Sequence, residues 1–214
     1  MNNPVCLLQW LGPDEYHETR TALDLFADQI DISHYNVSSK NEAREALAKW
    51  FLNNSNSQYL FIGSHGIKDS GNNCIGIGSS FNDFVPWSEL WDWLTKALYP
   101  PVLWLGACRS SYAAQAWSPF PSRPIPVSWI VGFGTDIYPP EIKDILLELM
   151  KTTSINRIIY VDQQLDLLRR LIPNTSSELF FPAHTLQGLD EFVNVERFPD
   201  KVGIPFSEFL INQR

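Results

Sequence analysis

Cysteine is scarce in this chain. There are three, Cys6, Cys74 and Cys108, among 214 residues. An odd, sparse set builds no disulfide framework and fits a compartment where thiols stay reduced. No two of them have Cys-x-x-Cys spacing, and His17, His34, His65 and His184 are scattered. That argues against a zinc site, and no metal is expected. Basic charge is also short, with a formal net charge of -8. Such a surface repels phosphate backbones, so no nucleic-acid partner is expected. Long apolar runs are missing too. The run from Val5 to Leu11 follows no basic start and is too short for a signal-peptide core or a membrane span. The expectation is a soluble, cytoplasmic protein with no membrane partner. Neither Cys74-Ile75-Gly76-Ile77-Gly78 nor Val131-Gly132-Phe133-Gly134 gives a dinucleotide fingerprint, and no P-loop is present. No cofactor is expected.

What is there is ordinary globular material. Hydrophobic residues make up 44% and charged residues 19%, enough for a packed core in one domain spanning residues 1–214. Four short apolar runs read as buried strands: Val5 to Leu11, Tyr59 to Ile62, Val102 to Leu105 and Val127 to Phe133. Ile32 to Val37 is a weaker extended stretch, and Leu179 to Phe181 a last short strand. Helical patterns fall between them, at Glu18 to Ile30, from Ser38 into Phe51, at Trp87 to Leu98, Ser110 to Trp117, Glu141 to Lys151 and Ile155 to Leu171. Ser39 stands three residues before Glu42, the spacing of a capping box. Strands alternating with helices predict an α/β fold, a three-layer sandwich around a mostly parallel sheet of about six strands. The polar stretch from Lys68 to Asn82 reads as a surface hairpin with Cys74 partly exposed. Trp91 and Trp93 are not expected to face inward together from one helix, which leaves one for a groove or partner surface.

In parallel sheets, reactive groups lie just beyond the carboxyl ends of strands. Two strand ends are chemically unusual here. One carries Gly63-Ser64-His65-Gly66, the other Gly106-Ala107-Cys108-Arg109-Ser110. A helix separates them, so one right-handed crossover makes the strands neighbours and delivers imidazole and thiol to one edge. A free thiol, with a pKa of about 8.5, is only slightly ionised at neutral pH, and an adjacent imidazole activates it. Cys108 at a helix start would gain from the dipole. The N–H groups of Gly66 and Cys108 could form an oxyanion hole.

A strand ending in Ser-His-Gly, followed about 40–50 residues later by a strand ending in Ala-Cys-Arg, resembles the caspases, metacaspases and bacterial CHAT peptidases. The resemblance covers Val5 to Phe133 in order of elements and fades beyond. It implies a caspase-like fold and a cysteine endopeptidase with His65 and Cys108 as dyad, Gly66 and Cys108 as oxyanion donors, and a protein as substrate. It also suggests regulated cutting, in the antiviral defence or cell-death setting of bacterial relatives, with a regulatory protein as a further partner. The position two before the nucleophile, Gln in caspases and acidic in metacaspases, is Gly106 here, and Ser110 stands where caspases have Gly. An uncharged residue before the scissile bond is therefore expected. Asp136, which would instead favour a basic one, and Arg109, a substrate contact or a plain surface salt bridge, complete the candidate substrate-binding set with Gly106. The loop from Pro119 to Pro126 offers weak cleavage context, so activity without self-processing is expected. Two alternatives stay open: a catalytically silent caspase-like interaction module, and a small α/β nucleotide-binding signalling domain, which would need a phosphate-cradling loop.

Overall fold

A computed structural model describes residues 5–25, 32–53, 59–97, 101–117, 125–144, 146–147, 177–184 and 190–194. The element order is β1 (Val5–Trp10), α1 (Pro13–Asp24), β2 (Ile32–Asn36), α2 (Lys40–Asn53), β3 (Tyr59–Lys68), β4 (Cys74–Ser80), β5 (Asp83–Pro86), α3 (Trp87–Leu94), β6 (Val102–Gly106), α4 (Tyr112–Gln115), β7 (Trp129–Phe133), β8 (Ser177–His184) and β9 (Asp190–Asn194). The main sheet runs β2-β1-β3-β6-β7-β8-β9. Its first five strands are parallel, and β8 and β9 add on antiparallel. The fold is α/β with a mostly parallel sheet, as the alternation of runs predicts.

The four apolar runs become strands buried on both faces. Every residue of β1, β6 and β7 is buried. On one face Leu8, Ile62, Leu105 and Ile130 share a core with Leu47 and Trp50 of α2 and Leu90 and Trp91 of α3. On the other, Phe61 and Ile142 close over Gly106, and Ile142 and Leu146, in helical turns at 139–144 and 146–147, are buried. Helical layers on both faces make the sandwich three-layered. Truncating a residue such as Leu105 or Ile62 to Ala here is worth about 2–5 kcal/mol.

Several boundaries differ from the sequence expectation. α1 starts at Pro13 rather than Glu18; proline suits a first helical turn, whose N–H groups lack intrahelical partners. The Gly12 N–H is instead taken by Glu15 Oε2 at 3.1 Å. The capping box forms with a one-residue offset. Glu42 N–H donates to Ser39 Oγ, but Glu42 Oε2 reaches back to Ser38 N–H at 2.7 Å. The helix expected over Ser110 to Trp117 contracts to the single turn of α4, so no long helix dipole bears on Cys108.

Two expectations are overturned. Cys74 is 2% exposed, because the hairpin is fastened down: the Trp87 indole N–H donates to Cys74 O at 2.7 Å, and Lys40 N–H to Asp83 Oδ1 at 3.0 Å. Trp91 and Trp93 are both buried. α3 packs against α2, β4 and β5, so more than one side of the helix is covered, and Trp91 meets Trp117 edge-on at 5.6 Å. The loop from Pro119 to Pro126, for most of its length, the helix from Ile155 to Leu171 and most of the C-terminal tail lie outside the described residues. No described helix is long and apolar enough to cross a membrane.

Candidate active site at the ends of β3 and β6

Register brings the two unusual strand ends together. Gly63 of β3 pairs with Gly106 of β6 in the parallel ladder. His65 and Cys108 each follow that pair by two residues, at the carboxyl ends of adjacent strands. β3 does not stop there, as its sequence suggests. It runs on to Lys68, leaving the main sheet to pair antiparallel with β4, so that His65 lies opposite Gly78 and Gly66 opposite Ile77. Ser64 Oγ ties this departure down by donating to Gly78 O at 3.2 Å.

The loop after β6 is held from below. Ser110 is fully buried, its hydroxyl donating to Leu105 O at 2.8 Å and accepting from Phe133 N–H at 3.1 Å. Arg109 N–H donates to Thr135 O at 2.9 Å, and Ser111 N–H to Phe133 O at 3.1 Å. Arg109 itself has φ 53°, a left-handed conformation that costs about 1–2 kcal/mol for a residue with a side chain. Its side chain helps hold it there, donating from Nε to Asp136 Oδ1 at 3.1 Å and from a guanidinium nitrogen to Asn72 O at 3.3 Å.

Cys108 is partly exposed, whereas Cys6 and Cys74 are buried. Its sulfur lies 3.4 Å from both the N and the O of Ile137. Its own backbone N–H makes no hydrogen bond to a described residue. Gly66 abuts the same residue: a Cβ added there would stand 2.0 Å from the Cys108 carbonyl oxygen and 3.2 Å from Cys74 Sγ. Burial pushes the Cys74 thiol up to about 11, so it remains protonated at neutral pH.

His65 is 44% exposed along its side chain, and its Nε2 lies 3.1 Å from Glu15 Oε2. With Nε2 engaged by the carboxylate, Nδ1 is the nitrogen left for a thiol. Among the described residues no hydrogen bond joins the imidazole to the Cys108 sulfur. Glu15 is the residue that sequence reasoning missed. It sits in the first turn of α1, and only the folded contact with His65 shows its partner.

The candidate substrate residues are placed as follows. Gly106 faces inward, where a Cβ would meet the Phe61 ring at 2.8 Å. Asp136 is taken by two cations, Lys68 at 2.8 Å and Arg109 at 3.1 Å, and the Lys68 ammonium foremost holds its carboxyl below the usual range. A cleft of about 540 Å³ opens instead beside His65, lined by Gln9, Trp10, Gly12, Glu15, Asn36 and Ser79 among others, and by none of Gly106, Arg109 or Asp136. Gln9 is 1% exposed, and among the described residues neither polar atom of its carboxamide has a hydrogen-bond partner.

No protein-family model matches the chain, and no curated protein matches it. Among solved structures it is similar to a secreted C11 cysteine protease from Bacteroides thetaiotaomicron, determined in complex with an irreversible peptide inhibitor. The identity is 9%, the match covers 92% of this chain and 90% of that one, and the TM-score is 0.48. A likeness that distant assigns neither family nor chemistry to this chain.

Proposed function

We propose that this protein is a caspase-like cysteine endopeptidase, cutting a specific protein substrate through Cys108 and His65. The observation that carries the reading is the pairing of Gly63 with Gly106, which sets imidazole and thiol two residues beyond one rung of a parallel ladder. Glu15 on Nε2 fixes the ring and its tautomer, leaving Nδ1 as the basic atom. Nδ1 takes the thiol proton as sulfur attacks the substrate carbonyl, and returns it to the departing amine. The N–H groups of Gly66 and Cys108 hold the oxyanion; one such donor is worth about 10²–10³ in rate. Water then cleaves the thioester, with His65 again as base. The chemistry calls for no metal or cofactor. By the resemblance of its motifs to bacterial caspase-like proteins, the chain acts in the cytoplasm, in a regulated defence or cell-death response, under a regulatory protein, and is active without self-cleavage.

A peptide library with mass-spectrometric readout tests the activity. Cleavage by the wild type, lost in both Cys108→Ala and His65→Ala, supports the enzyme. The second reading, a silent partner-binding module, draws on the sulfur's contact with Ile137 and on the absence of a sulfur–imidazole hydrogen bond. An iodoacetamide-type probe separates the two. Preferential alkylation of Cys108, slowed in His65→Ala, fits the enzyme; alkylation indifferent to His65 fits the module.

A further inference from the structure

We infer that residues 135–138, just after β7, form an autoinhibitory strap that holds the Cys108 thiol out of reaction with His65, with Asp136 as its ionic latch. The inference rests on the peptidase reading for what is inhibited, but the strap's geometry stands apart from it.

Both hydrogen bonds of the sulfur go to one residue. The Ile137 N–H donates to the Cys108 sulfur, and the thiol donates to Ile137 O, each at 3.4 Å. A thiol has one hydrogen and is a weak acceptor, so Ile137 occupies both of its functions. A proton aimed at Ile137 O is not aimed at His65, and no hydrogen bond joins sulfur to imidazole among the described residues. The sulfur must leave Ile137 before the pair can act.

Ile137 is secured from either side. Before it, Thr135 O accepts the Arg109 N–H at 2.9 Å, and the Asp136 carboxylate meets Lys68 Nζ at 2.8 Å and Arg109 Nε at 3.1 Å. After it, the Tyr138 N–H donates to Glu141 Oε2 at 2.6 Å, and Tyr138 O accepts the N–H groups of Glu141 and Ile142 at the start of the helical turns. The latch spans both halves of the site. Lys68 ends β3, the strand that carries His65, and Arg109 adjoins the nucleophile. Thr135, Asp136 and Tyr138 are exposed, and Ile137 alone is buried. Lifting the strap therefore uncovers one apolar side chain and leaves the sheet intact. Exposed ion pairs are weak, yet a weak latch suffices to bias a local two-state equilibrium. Its loss should shift the closed-to-lifted ratio about two- to fivefold.

The test compares wild type with Asp136→Asn, which keeps the shape and drops the charge, and with Lys68→Met, which leaves Arg109 to support the nucleophile's loop. Two rates are measured on protein shown by melting to be folded: alkylation of Cys108 by iodoacetamide, and kcat/KM on the best-cleaved members of a peptide library. Both should rise about two- to fivefold in each variant. Lys40→Met, which breaks an ion pair of similar exposure with Glu89, should change neither. Faster alkylation in both latch variants with no turnover by any form would uphold the strap and overturn the peptidase. Turnover by the wild type with neither rate raised in the latch variants, or with alkylation alone raised, would overturn the autoinhibitory strap and leave the peptidase standing. Equal rises in Lys40→Met would also overturn the strap, since general loosening would then explain them. No turnover and no change in alkylation would overturn both.

Discussion

The α-carbon of Gly66 is pressed so closely against Cys108 that a methyl group on it would stand 2.0 Å from the Cys108 carbonyl oxygen. A backbone carbonyl cannot swing aside as a flexible side chain can. Gly66→Ala must therefore shift the loop that carries the sulfur or the ribbon that carries the imidazole. Overpacking of this kind costs about 1–3 kcal/mol. Peptidase activity should fall by more than the melting temperature suggests, because both N–H groups proposed as oxyanion donors belong to the two residues that collide. Thermal melts and kcat/KM on the same preparation check this.

The thiols should separate by reactivity. Burial holds Cys74 up to about 11 and pushes Cys6 well above its ordinary value, so at pH 8 neither is appreciably thiolate in the folded state. Cys108 is the partly exposed one. Brief alkylation of native protein followed by peptide mapping should modify Cys108 first, and denaturation should expose all three equally. Early labelling of Cys74 would contradict its burial beneath the hairpin.

Glu15 should act on turnover more than on binding. Glu15→Gln keeps a hydrogen bond to His65 but loses the charge that stabilises the imidazolium. A fall in kcat of about 10–100-fold is expected, short of the 10²–10⁴ that a general base itself contributes, with KM little changed. Glu15→Ala should be worse than Glu15→Gln. Equal losses from both would mean that the charge carries the whole effect and that the hydrogen bond orienting the ring contributes nothing.

Asp136 gives a pH signature. Lys68, and after it Arg109, lower its folded pKa below that of the unfolded chain. Its stabilising effect is thus complete above the ordinary carboxylate value of about 4 and is lost as pH falls through the depressed folded value. The side chain is 46% exposed, so screening limits the effect to at most about 1 kcal/mol. Asp136→Asn should lower stability near neutrality by that much and flatten the acid limb of a pH-dependent melt. It should leave stability unchanged where the wild-type carboxyl is already protonated.

Ser110→Ala should be costly for so small a change. The hydroxyl bridges Leu105 O and Phe133 N–H in a fully buried position. Its loss strands the Phe133 donor, worth about 1–3 kcal/mol. Chemical denaturation should show it as a lowered midpoint at unchanged slope.

The strands were legible because a doubly buried parallel strand is apolar almost throughout, as Val5 to Trp10 (Gln9 apart) and Val102 to Leu105 are. The adjacency of His65 and Cys108 at one sheet edge followed from handedness and crossover length. What escaped was set by tertiary packing. Nothing in Cys74-Ile75-Gly76-Ile77-Gly78 announces that Trp87 will pin the segment inward. Helical periodicity kept Trp91 and Trp93 apart because it assumes one covered face, and α3 has neighbours on more than one. Glu15 looks like any acid in a first helical turn until the fold sets it against His65. Gln9 did leave a mark, as the one polar letter in an otherwise apolar strand.

His65 rides on the β3–β4 ribbon after that ribbon has left the main sheet, whereas the Cys108 loop is bolted to β7 through Ser110 and Ser111, and through Arg109 to Thr135 just after it. The two groups thus have separate mountings that touch where Gly66 meets the Cys108 carbonyl. A small tilt of the ribbon alters their spacing as a lever would, with neither mounting dismantled. Alignment of the pair is in this sense a mechanical variable of the hairpin, distinct from the stability of the sheet beneath it.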